Sequence, residues 1–285
     1  MLSPRLIASR TGCRASRFRR LATLLPALLG LAVCVQAVRP AAGAQLVDTK
    51  LWITDLPVDA VVVLQGTVYI AGGTFVSMGG LTRHYLAALD LATGAATPWN
   101  PDPDNACWSL AARGSTVYVG GGFTHIGGQE RHCIASLDAA TGAATAWAPE
   151  ADRDVFCLAL SDSTLYAGGV FTRVGGLWRN RIAAIDAATG ATTSWNPDAN
   201  ETRLVLVPGL NVIYAGGNFT AIGGQPRSYL AALDVATGAA TAWDPEPDGR
   251  VLSMAVGGST LGTGPYFVCL ASGSERVTTK ILVMR

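Results

Sequence analysis

The sequence predicts an all-β chain in which one small sheet is repeated about every 48 residues. Three observations carry that prediction. Trp99, Trp147, Trp195 and Trp243 recur every 48 residues, and Asp90, Asp138, Asp186 and Asp234 recur with the same period. The second glycines of four Gly-Gly pairs (Gly80, Gly128, Gly176, Gly224) and four arginines (Arg83, Arg131, Arg179, Arg227) keep that phase. Each period holds four short apolar segments of strand character, with no 3.6-residue pattern. Four strands in this length make one blade of a β-propeller, so the expected fold is a β-propeller of about five four-stranded blades.

The third copy shows the elements in order. Val155–Leu160 alternates large and small apolar residues and is the first strand. Leu165–Val170 is the second and runs into a Gly-rich turn. Arg181–Asp186 is the third and Thr192–Trp195 the fourth. Between the last two, Ala187–Gly190 forms a tight turn. Its Gly supplies a positive φ, and Asp186 caps it through its carboxylate. On the first strand the bulky parity reads Val61, Trp108, Phe156, Leu204 and Leu252 across the copies. Cys107 and Cys157 fall on the smaller parity and are expected to point the same way as small core residues.

The ends suggest closure. Residues 250–285 begin a fifth copy, with strands expected at Val251–Gly258, Tyr266–Ala271 and Thr278–Val283, and no fourth strand follows. Trp52 lies 47 residues before Trp99, which makes Leu46–Thr54 an orphan fourth strand. The expected ring is therefore closed by the N-terminal strand completing the last blade, which removes exposed sheet edges. A fragment of a larger propeller is the alternative. Trp52, Trp99, Trp147, Trp195 and Trp243 are read as blade-packing residues.

Residues 1–44 carry seven arginines and no acid. A basic stretch to Arg20, an apolar run over Leu21–Val38 and Ala42-Gly43-Ala44 make a cleaved secretory signal peptide the expectation. Residues 45–285 are then one exported, extracytoplasmic domain, with no stable membrane insertion after cleavage. The whole chain has net charge +1, so those residues are mildly acidic and nucleic acid is not an expected partner. The cysteines after the leader are Cys107, Cys133, Cys157 and Cys269, with no spacing that favours one pairing or a metal site.

The phrase A-S-L-D-A-A-T-G-A-A-T-A-W at Ala135–Trp147 resembles the quinoprotein-like (PQQ-like) β-propeller repeat. The preceding V-Y-V-G-G and L-Y-A-G-G strands resemble kelch repeats. G-G-x-F-T-x-I-G-G followed by A-L-D-A-A-T-G and Trp is similar to bacterial extracytoplasmic propeller repeats of unknown function. The resemblance implies the fold and the role of the Trp series as inter-blade packing. It does not imply quinone binding, because there is no Cys-Cys pair and each Asp-to-Trp spacing is one residue longer than in the quinoprotein motif. No cofactor and no metal site is expected.

In a propeller, the loops from fourth to first strand and from second to third strand share one face. The first set carries Asp102, Glu150, Asp198 and Glu246, and the second carries Arg83, Arg131, Arg179 and Arg227, with Arg276 as a fifth. Two readings arise: a ligand or partner face, and repeated Arg–carboxylate pairs that tie each loop to its neighbour. Departures from the repeat are more informative: His84 and Tyr85, Glu130 and His132, Leu177 and Trp178, Pro226 and Tyr229. Trp178 has no Trp counterpart and is read either as a binding anchor or as cover for a neighbouring loop. No catalytic residue is singled out. The expected function is a non-catalytic binding or scaffold module for a protein or carbohydrate partner. A propeller enzyme of hydrolase, lyase or quinoprotein type, with its site at the channel mouth, is the alternative.

Overall fold

The computed structural model describes residues 57–254 and two short strands, Cys269–Leu270 and Lys280–Ile281. The leader, Leu46–Thr54 with Trp52, and Arg276 lie outside the described residues. Among the described residues every regular element is a β-strand. Four units repeat the same three-stranded antiparallel sheet, with the second strand in the middle. In the third unit these strands are Val155–Ser161, Thr164–Gly169 and Ile182–Asp186, within a residue or two of the expected bounds. Cys269 and Leu270 pair antiparallel with Ile281 and Lys280, inside two segments expected to be strands.

The expected fourth strand is reduced to one bridge per unit: Leu89 with Ala96, Leu137 with Ala144, Ile185 with Thr192, Leu233 with Ala240. Its backbone still bonds the third strand, as in Thr145 N–H to the Ser136 carbonyl and Asp138 N–H to the Ala143 carbonyl at 2.9 Å, and side chains take the groups beyond those bonds. The Trp147 N–H donates to Thr145 Oγ1 at 3.1 Å, and the Ser136 and Thr145 hydroxyls bond each other. The sheets are therefore three-stranded with a bridged edge, not four-stranded.

Each of the four Gly-Gly pairs that keep the period turns a short two-stranded hairpin, whose flanking strands were not expected. In the second unit His125–Ile126 pairs with Gln129–Glu130 around Gly127 and Gly128, whose φ values are +59° and +77°. Positive φ at both central positions is what a type I′ turn requires. A β-carbon on Gly127 would also overlap the Ala144 N–H.

Sheets stack by nesting large residues on glycine. A β-carbon on Gly120 would meet Val155 of the next unit at 2.8 Å, and one on Gly216 would meet Val251 at 2.6 Å. Three buried clusters join unit to unit, with Val62 and Tyr69 against Leu110 and Leu137, Tyr118 against Leu158, and Tyr166 against Leu206. Phe75, Phe123, Phe171 and Phe219 are fully buried, one per unit.

The turn side is a repeated clamp. Asp186 Oδ1 accepts from the Ala188 N–H, the Thr189 N–H and the Thr189 hydroxyl at 3.1, 2.7 and 2.8 Å, and Gly190 has φ +80°. The Asp186 carbonyl accepts from Trp147 Nε1 of the preceding unit at 3.0 Å. Trp99 and Trp195 repeat that bond to Asp138 and Asp234. The Tyr118 hydroxyl donates to the Ala187 carbonyl at 2.7 Å and its ring stands edge-on to Trp147 at 5.2 Å. Trp99, Trp147 and Trp195 are thus inter-unit packing residues. Trp243 is half-buried and stacks edge-on to Tyr214 at 5.3 Å.

Register corrects two expectations about the first strand. Val61 pairs with Ile70 as Leu110 pairs with Val119, so Val61 matches Leu110 rather than Trp108. The residue matching Trp108 is Asp59. It precedes Trp108 by 49 residues, as Tyr69 precedes Tyr118. Cys107 and Cys157 also differ in position. A β-bulge between Cys107 and Ser109, and another between Val155 and Cys157, makes Cys107 the counterpart of Val155. Cys107 accordingly packs with the first unit and Cys157 with the fourth, so they point opposite ways. Both are buried, as is Cys133. Burial pushes the Cys133 thiol up to about 11 and also raises that of Cys107 well above its ordinary value.

Candidate functional site

The two loop sets meet at one end of the units. The arginines there do not form the expected ring of ion pairs. Arg131 Nη1 donates to its neighbour's carbonyl at Glu130 and Nη2 to the Thr145 carbonyl, both at 2.6 Å. Arg83, Arg179 and Arg227 repeat this bond pair on Thr82 and Thr97, Trp178 and Thr193, and Pro226 and Thr241. Each guanidinium thereby fastens the hairpin to the bridged edge segment of its own unit. Its planar fork suits two carbonyls at a fixed angle. All four Nε atoms are buried without a partner. Among the described residues one arginine of the set meets a carboxylate, Arg227 with Asp244 at 3.1 Å. That unit alone places an acid directly after the repeat Trp, where the others have Asn100, Ala148 and Asn196.

The acidic series serves a different purpose. Asp102, Glu150, Asp198 and Glu246 all sit at positive φ, between +45° and +53°. Asp102 Oδ1 is 3.0 Å from His84 Nδ1, and Asp198 Oδ1 accepts from Asn180 Nδ2 at 2.7 Å. In these two units the carboxylate reaches the residue after the arginine, not the arginine itself. His132, the counterpart of His84, turns instead to Glu130 at 3.1 Å. Both contacts are exposed and worth little. Among the described residues there is no group of three His, Cys, Asp or Glu side chains placed to hold a metal ion.

A second carboxylate series caps the hairpins. Asp104 accepts from the Thr124 N–H, the Thr124 hydroxyl and the His125 N–H at 2.8, 2.5 and 3.0 Å. Asp152 does the same for Thr172 and Arg173, whereas Asn200 Oδ1 accepts from the Thr220 and Ala221 N–H groups and its Nδ2 donates to the Thr220 hydroxyl. Desolvation pushes the Asp104 carboxyl up, but bonds from the Thr124 hydroxyl and the two N–H groups outweigh it and hold it at about 2.

Trp178 stands at the tip of the third hairpin, 61% exposed, beside Leu177 at 46%. The Arg173 guanidinium lies over its ring at 4.1 Å, across the Arg173–Trp178 ladder pair. The other departures divide. Tyr85, Cys133, Arg181 and Tyr229 share one repeated position of positive φ, +59° to +68°, whose N–H closes onto the buried Phe carbonyl. Tyr85 and Tyr229 are therefore parts of the repeat. Beside Tyr229, a cleft of about 410 Å³ is lined by Arg227, Ser228, Asp244 and Glu246.

Sequence reasoning missed the entry to the first strands. Asp59 is 8% exposed, and its Oδ2 accepts from the Gly73 N–H at 2.6 Å. Burial raises its carboxyl above the usual range, and the Gly73 bond offsets part of that. Trp108 and Phe156 form an edge-on pair at 5.1 Å in the next two units. The signal was present in the 49-residue spacing from Tyr69 to Tyr118, which moves Asp59 into the bulky series.

No protein-family model matches the chain, and no curated protein matches it. Among solved structures, it is similar to the computationally designed Ika8 protein, with TM-score 0.48 and 15% identity over 70% of this chain and 52% of that one. The designed Ika4 protein gives TM-score 0.45 and 14% identity over 68% of this chain and all of that one. The chain spans about half the length of Ika8.

Proposed function

We propose that the chain is an exported β-propeller of about five blades that acts as a non-catalytic binding module for a protein or glycan partner. The observation that carries it is the division of labour on the loop face. The repeated arginines are spent on backbone carbonyls, whereas the surface left to a partner is made by residues that break the repeat. Trp178, held flat by Arg173, is such an anchor, since a rigid aromatic offers contact area at little entropic cost.

Ring closure is supported by the end units. Val251 and Met254 already pack on the fourth unit beside Tyr214 and Trp243. The first unit's opposite face, Ile70, Ala87 and Leu89, is buried, like the corresponding faces at the internal interfaces. In this reading the leader ends at Ala44, and Trp52 closes the last blade as Trp147 does an internal one.

Two measurements test it. N-terminal sequencing of the exported chain should begin at Gln45, and Trp52→Ala should lower stability as much as Trp147→Ala. An oligosaccharide array and site-specific photocrosslinking from position 178 then probe the face. Saturable capture that Trp178→Ala abolishes supports a binding module. Turnover of ester, glycoside or peptide substrates without such capture overturns it.

A further inference from the structure

Asp59, Trp108 and Phe156 occupy one position in three successive units, and that position does not repeat. Leu204 and Leu252 follow at intervals of 48. Trp108 and Phe156 are the extra residues of two β-bulges, where ladder partners jump from Cys107–Gly121 to Ser109–Gly120 and from Val155–Gly169 to Cys157–Gly168. A bulge re-aims a side chain and is over-represented beside binding sites. The second bulge is stabilised across units, because the Leu158 N–H donates to Ser109 Oγ at 2.8 Å in a buried position.

The indole of Trp108 lies across two units between two carboxylates. A β-carbon on Gly73 would stand 3.1 Å from Trp108 Nε1 and 3.3 Å from Asp59 Oδ2. One on Gly122 would stand 3.0 Å from Trp108 Cη2 and 3.2 Å from Asp154 Oδ1. Glycine at both positions lets each end of the ring pack closely against the backbone. Asp59 is more than nine-tenths buried, and neither it nor Asp154 forms an ion pair among the described residues. Burying a carboxylate without a countercharge is expensive. Nothing in the repeat requires it, since the next two units place apolar rings there.

We infer that Asp59, Asp154 and the Trp108–Phe156 pair form a site for an organic ammonium group. The indole attracts the cation through its quadrupole, and the two carboxylates supply the opposite charge. The aromatic walls offer no metal ligands, and a neutral sugar would leave the Asp59 charge uncompensated. The ammonium group belongs to a free amine or to a lysine side chain of a partner. This site deepens the binding-module reading and rests on it; it lies at the entry to the first strands, apart from the hairpin tip that carries the outer anchor Trp178.

Calorimetric titration of the full exported chain tests it with three probes: choline, N-acetyl-lysine methylamide, and 3,3-dimethylbutanol as choline's neutral isostere. At least one cation should bind saturably and the isostere should not. Asp154→Asn and Asp59→Asn should each weaken binding about tenfold, and Trp108→Leu should abolish it. Trp178→Ala should leave it unchanged, which separates this site from the outer face. Binding of choline alone identifies a free amine as the source, and binding of the lysine mimic alone a partner's side chain. No saturable binding of either cation overturns the inference. So does equal binding of the isostere, or binding indifferent to both Asp variants. Asp154 is half-buried and outside the ladder, so its variant remains informative if Asp59→Asn unfolds.

Discussion

On the turn side, Trp99, Trp147 and Trp195 dock on the next unit's Asp carbonyl at 3.1, 3.0 and 2.9 Å, and each is stacked by a Tyr at 5.0 to 5.2 Å. At the entry to the first strands on the opposite side, the matching residues are Asp59, Trp108 and Phe156, with three different chemistries and contacts. A position that must meet an identical neighbour is held to one residue, because its partner offers one carbonyl at one distance. A position that meets no repeated partner is free to differ, and there, among the described residues, a buried carboxylate lacks a countercharge. The repeated arginines belong with the turn side in this respect: they look like a binding feature in sequence and are consumed internally.

Variants sharpen the contrast. The largest effect is expected from Trp147→Ala, which empties a buried indole site, breaks the bond to Asp186 and unstacks Tyr118. It should cost about 3–5 kcal/mol by denaturant unfolding, and a loss under about 1 kcal/mol would contradict the clamp. Gly169→Ala comes next. Its β-carbon would overlap the Asp154 carbonyl, so backbone must move beside the third-unit bulge. About 1–3 kcal/mol of destabilisation is expected, read as a lower thermal midpoint.

Arg131→Met tests what the repeated arginines do. Removing a charged donor to two carbonyls should cost about 1.5–3 kcal/mol, while Glu150→Gln should stay within about 0.5 kcal/mol. If Glu150→Gln were the more damaging, ion pairing would be the organising force after all.

Asp104 supplies a pH-dependent test. Its carboxyl is held at about 2 against an ordinary 3.8, so its contribution is present above the ordinary value and is lost as pH falls through about 2. Asp104→Asn should flatten the acid limb of the stability curve between those values. It should do so with little change at neutral pH, because Asn200 already caps the equivalent N–H groups in the fourth unit. An unchanged acid limb would assign the slope elsewhere. Trp178→Ala closes the series at about 0.5 kcal/mol or less, since the ring is 61% exposed.

Much of this was legible in the residues. Phase alone located the Asp–Thr–Gly turn, the inter-unit Trp and the Gly-Gly turns, because those bonds are local or are repeated identically between neighbours. The fourth strand was overcounted because Thr192–Trp195 has strand composition, whereas Thr hydroxyls and the arginine fork claim its remaining hydrogen bonds. Val61 rather than Asp59 was matched to Trp108 because the first copy carries one extra residue between Tyr69 and Gly80. Cys107 and Cys157 were given one direction because counting by two fails across a bulge, which leaves no mark in composition.

The sequence by itself determined the repeat, the strand order within each unit and the turn that ends it. Glycine, proline and alternating apolar residues act on their near neighbours, and period fixes phase. Only the tertiary structure decided where the arginines spend their donors, which way Cys107 and Cys157 face, and that Asp59 lies beside Trp108. Those outcomes depend on which groups meet across units, and a linear pattern does not encode that once a bulge shifts the ladder.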